Sequence, residues 1–117
     1  MRFNNVTLLN ATTMGGTTVV YSSTIPLWNV YAFAFQYTTT GSSAAGSLQL
    51  QGSCDEGLDE LGTGVTNWAN IDSAIAISSI STTIVNKDAQ AYKWLRVKYT
   101  PNSGTGTLTV TLNTKGA

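Results

Sequence analysis

The sequence has no histidine, a single cysteine, two prolines and few charges: of its 117 residues, 10% are Asp, Glu, Lys or Arg, against about 25% in an ordinary soluble domain. Each shortage excludes a class of chemistry. Without histidine the commonest general base and metal ligand is missing, so a Cys/His zinc site is ruled out. Cys54 has no second cysteine to meet, and no intrachain disulfide forms. Six basic residues balance six acidic ones, which leaves no positive surplus to displace counterions from phosphates; nucleic-acid binding is not expected. The most apolar stretch, "WNVYAFAF" from Trp28 to Phe35, is far shorter than the roughly 20 residues of a membrane-spanning helix. The opening "MRFNNVTLLNATTMGG" lacks the continuous apolar segment of a secretory signal, so the expectation is a soluble chain made in the cytoplasm.

What is present is strand signal. Hydrophobic residues make up 42% of the chain, enough for one core in one domain over residues 1–117 that buries roughly two thirds of its unfolded surface. Alternating runs bounded by Gly, Pro, Asn or Ser clusters predict strands over Asn5–Leu9, Thr17–Ser22, Asn29–Thr38, Ser47–Gly52, Ala74–Ser79, Thr82–Asn86, Lys93–Thr100 and Thr107–Asn113. No segment sustains a helical period. The fold class is therefore all-β, a single-domain antiparallel β-sandwich with jelly-roll or related Greek-key topology. Leu48 and Leu50, Ile75 and Ile77, Leu95, Val97 and Tyr99, and Leu108, Val110 and Leu112 are expected to fill the space between two sheets. In "NVYAFAFQYT", Tyr31, Phe33, Phe35 and Tyr37 share one face while Val30, Ala32 and Ala34 share the other with Trp28. A strand apolar on both faces belongs in the centre of a sheet whose outer side is covered by a loop or another subunit. "TPNSGTGT" reads as a hairpin, with Pro101 presetting a turn and Gly104 and Gly106 supplying positive φ. "TTTGSSAAGS" reads as another hairpin, and Ser53–Asp72 as a long loop with a short helical turn at "DELG".

Few groups carry chemistry. Asp55, Glu56, Asp59 and Glu60 cluster in "SCDEGLDELGTG", and paired carboxylates can bind calcium. Their spacing lacks the regularity and closing glutamate of a calcium loop, which favours a solvated acidic loop. Cys54 has no histidine to activate it and reads as a small, partly buried thiol. No G-x-S-x-G elbow occurs, and no acid/base set supports an enzyme. Arg96 and Lys98 share a strand face with Trp94, next to Tyr92. Such a strip can bind sugar or single-stranded nucleic acid, but an outward face with a stacked cation and aromatic is the commoner outcome. Trp28, Trp68 and Trp94 are candidate sugar platforms, weighed against their use in the core or an interface. Acids gather between Asp55 and Asp72 and bases mostly between Lys87 and Lys98, a segregation that suits pairing between adjacent copies.

Threonine occupies positions where charge would ordinarily sit, as at Thr107, Thr109 and Thr111 and at Thr38, Thr39 and Thr40. Its hydroxyl can face water or a neighbouring chain without the desolvation cost of a lysine or glutamate. Interface cores are depleted in Lys, Glu and Asp, so the pattern suits a protein crowded against copies of itself.

Taken as a set, "GSLQLQGSCDEG", "VTNWANI" and "YKWLRVKYTPNSGTGTLTVTLNTKG" resemble the small β-sandwich virion structural proteins of bacteriophages. The likeness covers Phe35 to Gly116. It implies a non-enzymatic capsid, capsid-decorating or spike or fibre subunit, synthesised in the host cytoplasm and located in the virion. It also implies partners in copies of itself, as a trimer or larger, and in other virion proteins, with no cofactor. Similar patterns occur in discoidin-like and other carbohydrate-binding modules, which makes a surface glycan the alternative partner. Where the family has Ser-Asn-Asp after the Gln-Gly pair, this chain has Ser53, Cys54 and Asp55.

Overall fold

The computed structural model describes residues 2–16, 18–27, 30–41, 45–59, 62–77, 82–88, 93–102 and 104–116. They form strands β1 (Arg2–Thr13), β2 (Val20–Tyr21), β3 (Ile25–Pro26), β4 (Val30–Thr39), β5 (Ser47–Ser53), β6 (Ala69–Ala76), β7 (Thr82–Asp88), β8 (Trp94–Thr100) and β9 (Thr107–Gly116). Two antiparallel sheets result, one ordered β1-β9-β4-β7 and the other β2-β8-β5-β6, with β3 also paired to β8. The expected all-β sandwich of antiparallel sheets is what the chain forms.

Period-two alternation builds the core. Leu108, Val110 and Leu112 turn inward from β9 and meet Phe33, Phe35 and Tyr37 of β4, Leu48 and Leu50 of β5, and Leu95, Val97 and Tyr99 of β8 in one buried cluster. The residues between them, Thr109 and Thr111, point away from it. β4 lies between β9 and β7, the central place its two-sided apolarity predicts, with Phe33, Phe35 and Tyr37 inward. Thr39 departs from the expected threonine face, because it follows the inward parity of Tyr37 and is buried.

Both segments expected to be hairpins are corners between the sheets. β8 and β9 belong to different sheets, as do β4 and β5, so each of these connections passes between layers roughly 10 Å apart. Turn chemistry is the same in a hairpin and a corner, and only the distant pairing partners distinguish them. The two corners lean on each other: Thr40 N–H donates to the Thr107 carbonyl at 2.9 Å, and Thr107 N–H donates to the Thr40 carbonyl at 3.2 Å. Gly41 (φ 105°) and Gly106 (φ 94°) meet backbone to backbone here; a Cβ on Gly41 would lie 2.5 Å from Gly106 Cα, and one on Gly106 would overlap the Thr40 carbonyl.

Two strands run further than their alternation suggests, and each continues past a bulge. β1 extends beyond Leu9 to Thr13, with a register shift between Leu9 and Thr12 around Ala11 (φ 49°). β6 starts at Ala69, inside the segment expected to be loop, and shifts register between the Leu48 and Leu50 pairs around Asp72 (φ 60°). A bulge breaks the period-two pattern on which strand recognition depends. Gln49 Nε2 lies 3.0 Å from the Ile71 carbonyl and 3.2 Å from that of Asp72, satisfying groups that the bulge takes out of the ladder. Thr17, Asn29, Ser78 and Ser79, at the ends of expected strands, and Glu60 and Leu61 of "DELG" lie outside the described residues.

Candidate functional site

β8 carries the candidate residues because its inward positions are Leu95, Val97 and Tyr99, all fully buried, which turns Trp94, Arg96 and Lys98 to the outside of the sheet. The segment between β5 and β6 then folds over this outer face. Its anchor is Asp55. One carboxylate oxygen accepts the backbone N–H groups of Asn67 (2.9 Å) and Thr66 (3.0 Å), and the other accepts the Asn67 side-chain amide (3.1 Å). These three donors hold the Asp55 carboxyl below the usual carboxylate range, the Asn67 backbone bond having the largest effect. Farther round the loop, Thr63 donates its N–H and its hydroxyl to the two oxygens of Asp59 at 3.2 and 2.8 Å.

Under this loop Trp94 is fully buried, its indole N–H donating to the Asp55 carbonyl at 2.9 Å. Gly57 lies against the indole so closely that a Cβ would come within 2.8 Å of Cζ2. Trp94 is thus neither a sugar platform nor part of the cluster between the sheets; it is the nucleus of the loop. Cys54, expected to be partly buried, is exposed at the loop's start.

Trp68, at the end of the loop, lies over the Arg96 guanidinium at 4.3 Å, and Tyr21 lies over it at 4.2 Å. Tyr21 is placed by β2, where it pairs with Lys98 and where Ser22 exchanges two bonds with Val97, donating its N–H at 2.9 Å and accepting the Val97 N–H on Oγ at 2.8 Å. Arg96 Nε donates to Gln51 Oε1 at 2.8 Å, and Gln51 Nε2 donates to Asn70 Oδ1 at 3.0 Å. Burial lowers the Arg96 pKa from its ordinary value and Tyr21 opposes that change, yet a guanidinium stays charged. The result is a cation fixed in plane by two rings, with its terminal Nη groups unpaired among the described residues.

Arg96, Lys98 and Trp68, predicted from the sequence, are therefore brought onto one surface; Asp55 and Trp94 support it from beneath the loop. Trp28 lies outside the described residues. Trp68, half-buried, has the Arg96 cation stacked on its ring. Sequence reasoning missed Tyr21 and Gln51. Gln51 was legible as an outward position two residues from Gln49, whereas Tyr21 lies in the expected strand Thr17–Ser22 and its place beside Arg96 depends on the pairing of β2 with β8. Among the described residues, no three Cys, Asp or Glu side chains converge to hold a metal ion, and no helix is long and apolar enough to cross a membrane.

A second surface is the outer face of the β1-β9-β4-β7 sheet. In register across it run Asn5 beside Asn113 and Ala34, then Thr7 beside Thr111, Gln36 and Ile84, then Thr109 beside Thr38 and Thr82. These rows carry amides, hydroxyls and aliphatic groups, and Ile84 is 61% exposed. A cleft of about 460 Å³ opens where the free edges of β6 and β7 diverge, lined by Phe35, Leu50, Ile71, Ile75 and Val85 with Asp72 and Ser73.

No protein-family model matches the chain, and no curated protein is similar to it. Among solved structures, the crystal structure of SPBc2 prophage-derived protein YomS is similar, with a TM-score of 0.59 at 14% sequence identity over 97% of this chain and 92% of that one. What the two share is the fold. The overlap runs nearly end to end, so the likeness extends over both sheets.

Proposed function

We propose that the chain is a non-enzymatic structural component of a bacteriophage particle, in the capsid, decorating it, or in a spike or fibre. It acts through contacts with copies of itself, as a trimer or larger, and with other virion proteins. The observation that carries this reading is the outer face of the β1-β9-β4-β7 sheet. There three successive rows from Asn5 to Thr82 present Thr, Asn, Gln, Ala and an exposed Ile84 without a charge, Lys115 standing in the row beyond them. A surface of that composition costs less to desolvate than one carrying Lys or Glu and suits burial against another protein that pairs its hydroxyls and amides. YomS, similar in fold, is a prophage-derived protein, which supports a phage context. Only the β2–β3 and β5–β6 connections stay within one sheet, and the strand orders support reading the path as a jelly roll in a single domain, an architecture used in viral capsids.

Quantitative mass spectrometry of particles purified from cells that carry the gene tests the proposal. The expected result is the chain at a fixed copy number per particle, lost when Gln36 and Thr111 are both replaced by lysine. Its absence from purified particles overturns the reading.

A further inference from the structure

We propose that the Arg96 stack is a receptor for a carboxylate on a second copy of this chain, and that the carboxylate is Glu56, carried with Leu58 on the loop between β5 and β6. The inference rests on the reading of the chain as a self-associating structural protein and names the contact that joins the copies.

The receptor half is preorganised. The guanidinium carbon packs on the rings of both Tyr21 and Trp68, at 4.2 and 4.3 Å from their centroids, and Gln51 takes Nε. What is left is the Nη pair, a planar fork of donors matched to the two oxygens of a carboxylate. Rotamer freedom is already lost in the free chain, so an arriving anion does not have to order the side chain. Lys98 stands two residues along the same face, without an acidic partner among the described residues. Tyr21 is 49% exposed and offers an apolar ring at the rim. Arg, Tyr and Trp are the residue types that most often dominate interface energetics.

The donor half is equally well held. Leu58 is 81% exposed, although its N–H is tied to the Thr63 carbonyl at 2.7 Å and the loop beneath it is pinned by Asp55 and Asp59. A leucine fixed in that position has no route into its own core. Two residues earlier, Glu56 is 98% exposed and, among the described residues, is paired with Lys93 alone, at 3.7 Å. An exposed pair of that kind contributes little and exchanges partners readily. Acid and apolar group thus project together from a rigid loop, and the complementary charge and ring lie on β8 and β2. Opposite signs on the two patches favour knob on receptor, while knob on knob and receptor on receptor repel. Made reciprocally, Glu56 of each copy on Arg96 of the other, the contact closes a two-fold dimer. Made once per pair it is heterologous, closing into a ring when the rotation allows and otherwise extending as a filament.

Sedimentation velocity over a concentration series, at low and at high salt, reads the contact. Glu56→Arg and Leu58→Ala alter exposed positions and are expected to leave the far-UV circular dichroism unchanged while weakening self-association about tenfold each, as loss of a central interface residue does. Salt weakens the wild-type association in the same direction. Adding Arg96→Glu to Glu56→Arg reverses both charges and restores association. Folded Glu56→Arg and Leu58→Ala variants that associate like wild type overturn the proposal, as does a folded double variant that fails to recover. A wild-type chain that stays monomeric throughout overturns it too; its recovery at fixed copy number in purified particles then leaves the structural function standing.

Discussion

The Trp94 indole N–H and the Asp55 carbonyl meet at 2.9 Å, tying β8 to a loop 39 residues earlier. Through this bond a tryptophan on the outward face of a sheet becomes fully buried, and the loop that covers it also delivers Trp68 to Arg96. Trp94→Ala removes both the bond and the filling of the loop, with an expected loss of about 3–5 kcal/mol. Trp94→Phe keeps an aromatic ring but leaves the Asp55 carbonyl without its donor, for about 1–3 kcal/mol. Urea unfolding of the two variants checks the order; equal stability of Trp94→Phe and wild type contradicts the role of the bond.

Acid is expected to loosen the same loop. Asp55 is held below its ordinary pKa by the N–H groups of Asn67 and Thr66 and by the Asn67 amide, so its contribution is complete above the unfolded value of about 3.9 and disappears as pH falls through the lower folded value. Hydrogen exchange at the Thr66 and Asn67 amides should therefore rise at pH values below the usual carboxylate range. In Asp55→Asn those amides exchange faster already at neutral pH, with no further acid step of their own.

Alkali acts on the core instead. Tyr99 is fully buried, donates its hydroxyl to the Ala45 carbonyl at 2.8 Å, and has its pKa raised by burial. The stabilisation is present below the unfolded value of about 10 and is lost as pH rises through the folded one, since the unfolded chain releases the proton first. Thermal melts between pH 9 and 12 should show a falling midpoint that Tyr99→Phe flattens. At neutral pH that variant loses about 1 kcal/mol, the worth of one hydrogen bond.

Gly106→Ala tests the packing of the two corners. Its Cβ would overlap the Thr40 carbonyl at a φ of 94°, and the expected loss is about 3 kcal/mol or more. Gly16→Ala, with open space around the added carbon and no positive φ, is the control and should stay within about 0.5 kcal/mol of wild type. Similar melting temperatures for both variants contradict the close approach of the corners.

Much of the fold was legible because local chemistry repeats. The inward sets Leu108, Val110, Leu112 and Leu95, Val97, Tyr99 follow from period two alone, and the same period turns Arg96 and Lys98 outward. Legibility ended at Ala11 and Asp72, where a bulge resets the period, and at Ile25–Pro26, a strand too short to carry one.

By itself the sequence determined the β class, the inward sets of β5, β8 and β9 and the scarcity of charge, since each depends on a residue and its near neighbours. Tertiary structure alone decided that residues 101–106 cross between sheets, that Trp94 is roofed over, and that Tyr21 and Trp68 enclose Arg96. Those outcomes depend on which distant strands share a ladder. Pairing of that kind is settled by burying all inward faces together, a condition no local stretch of chain contains.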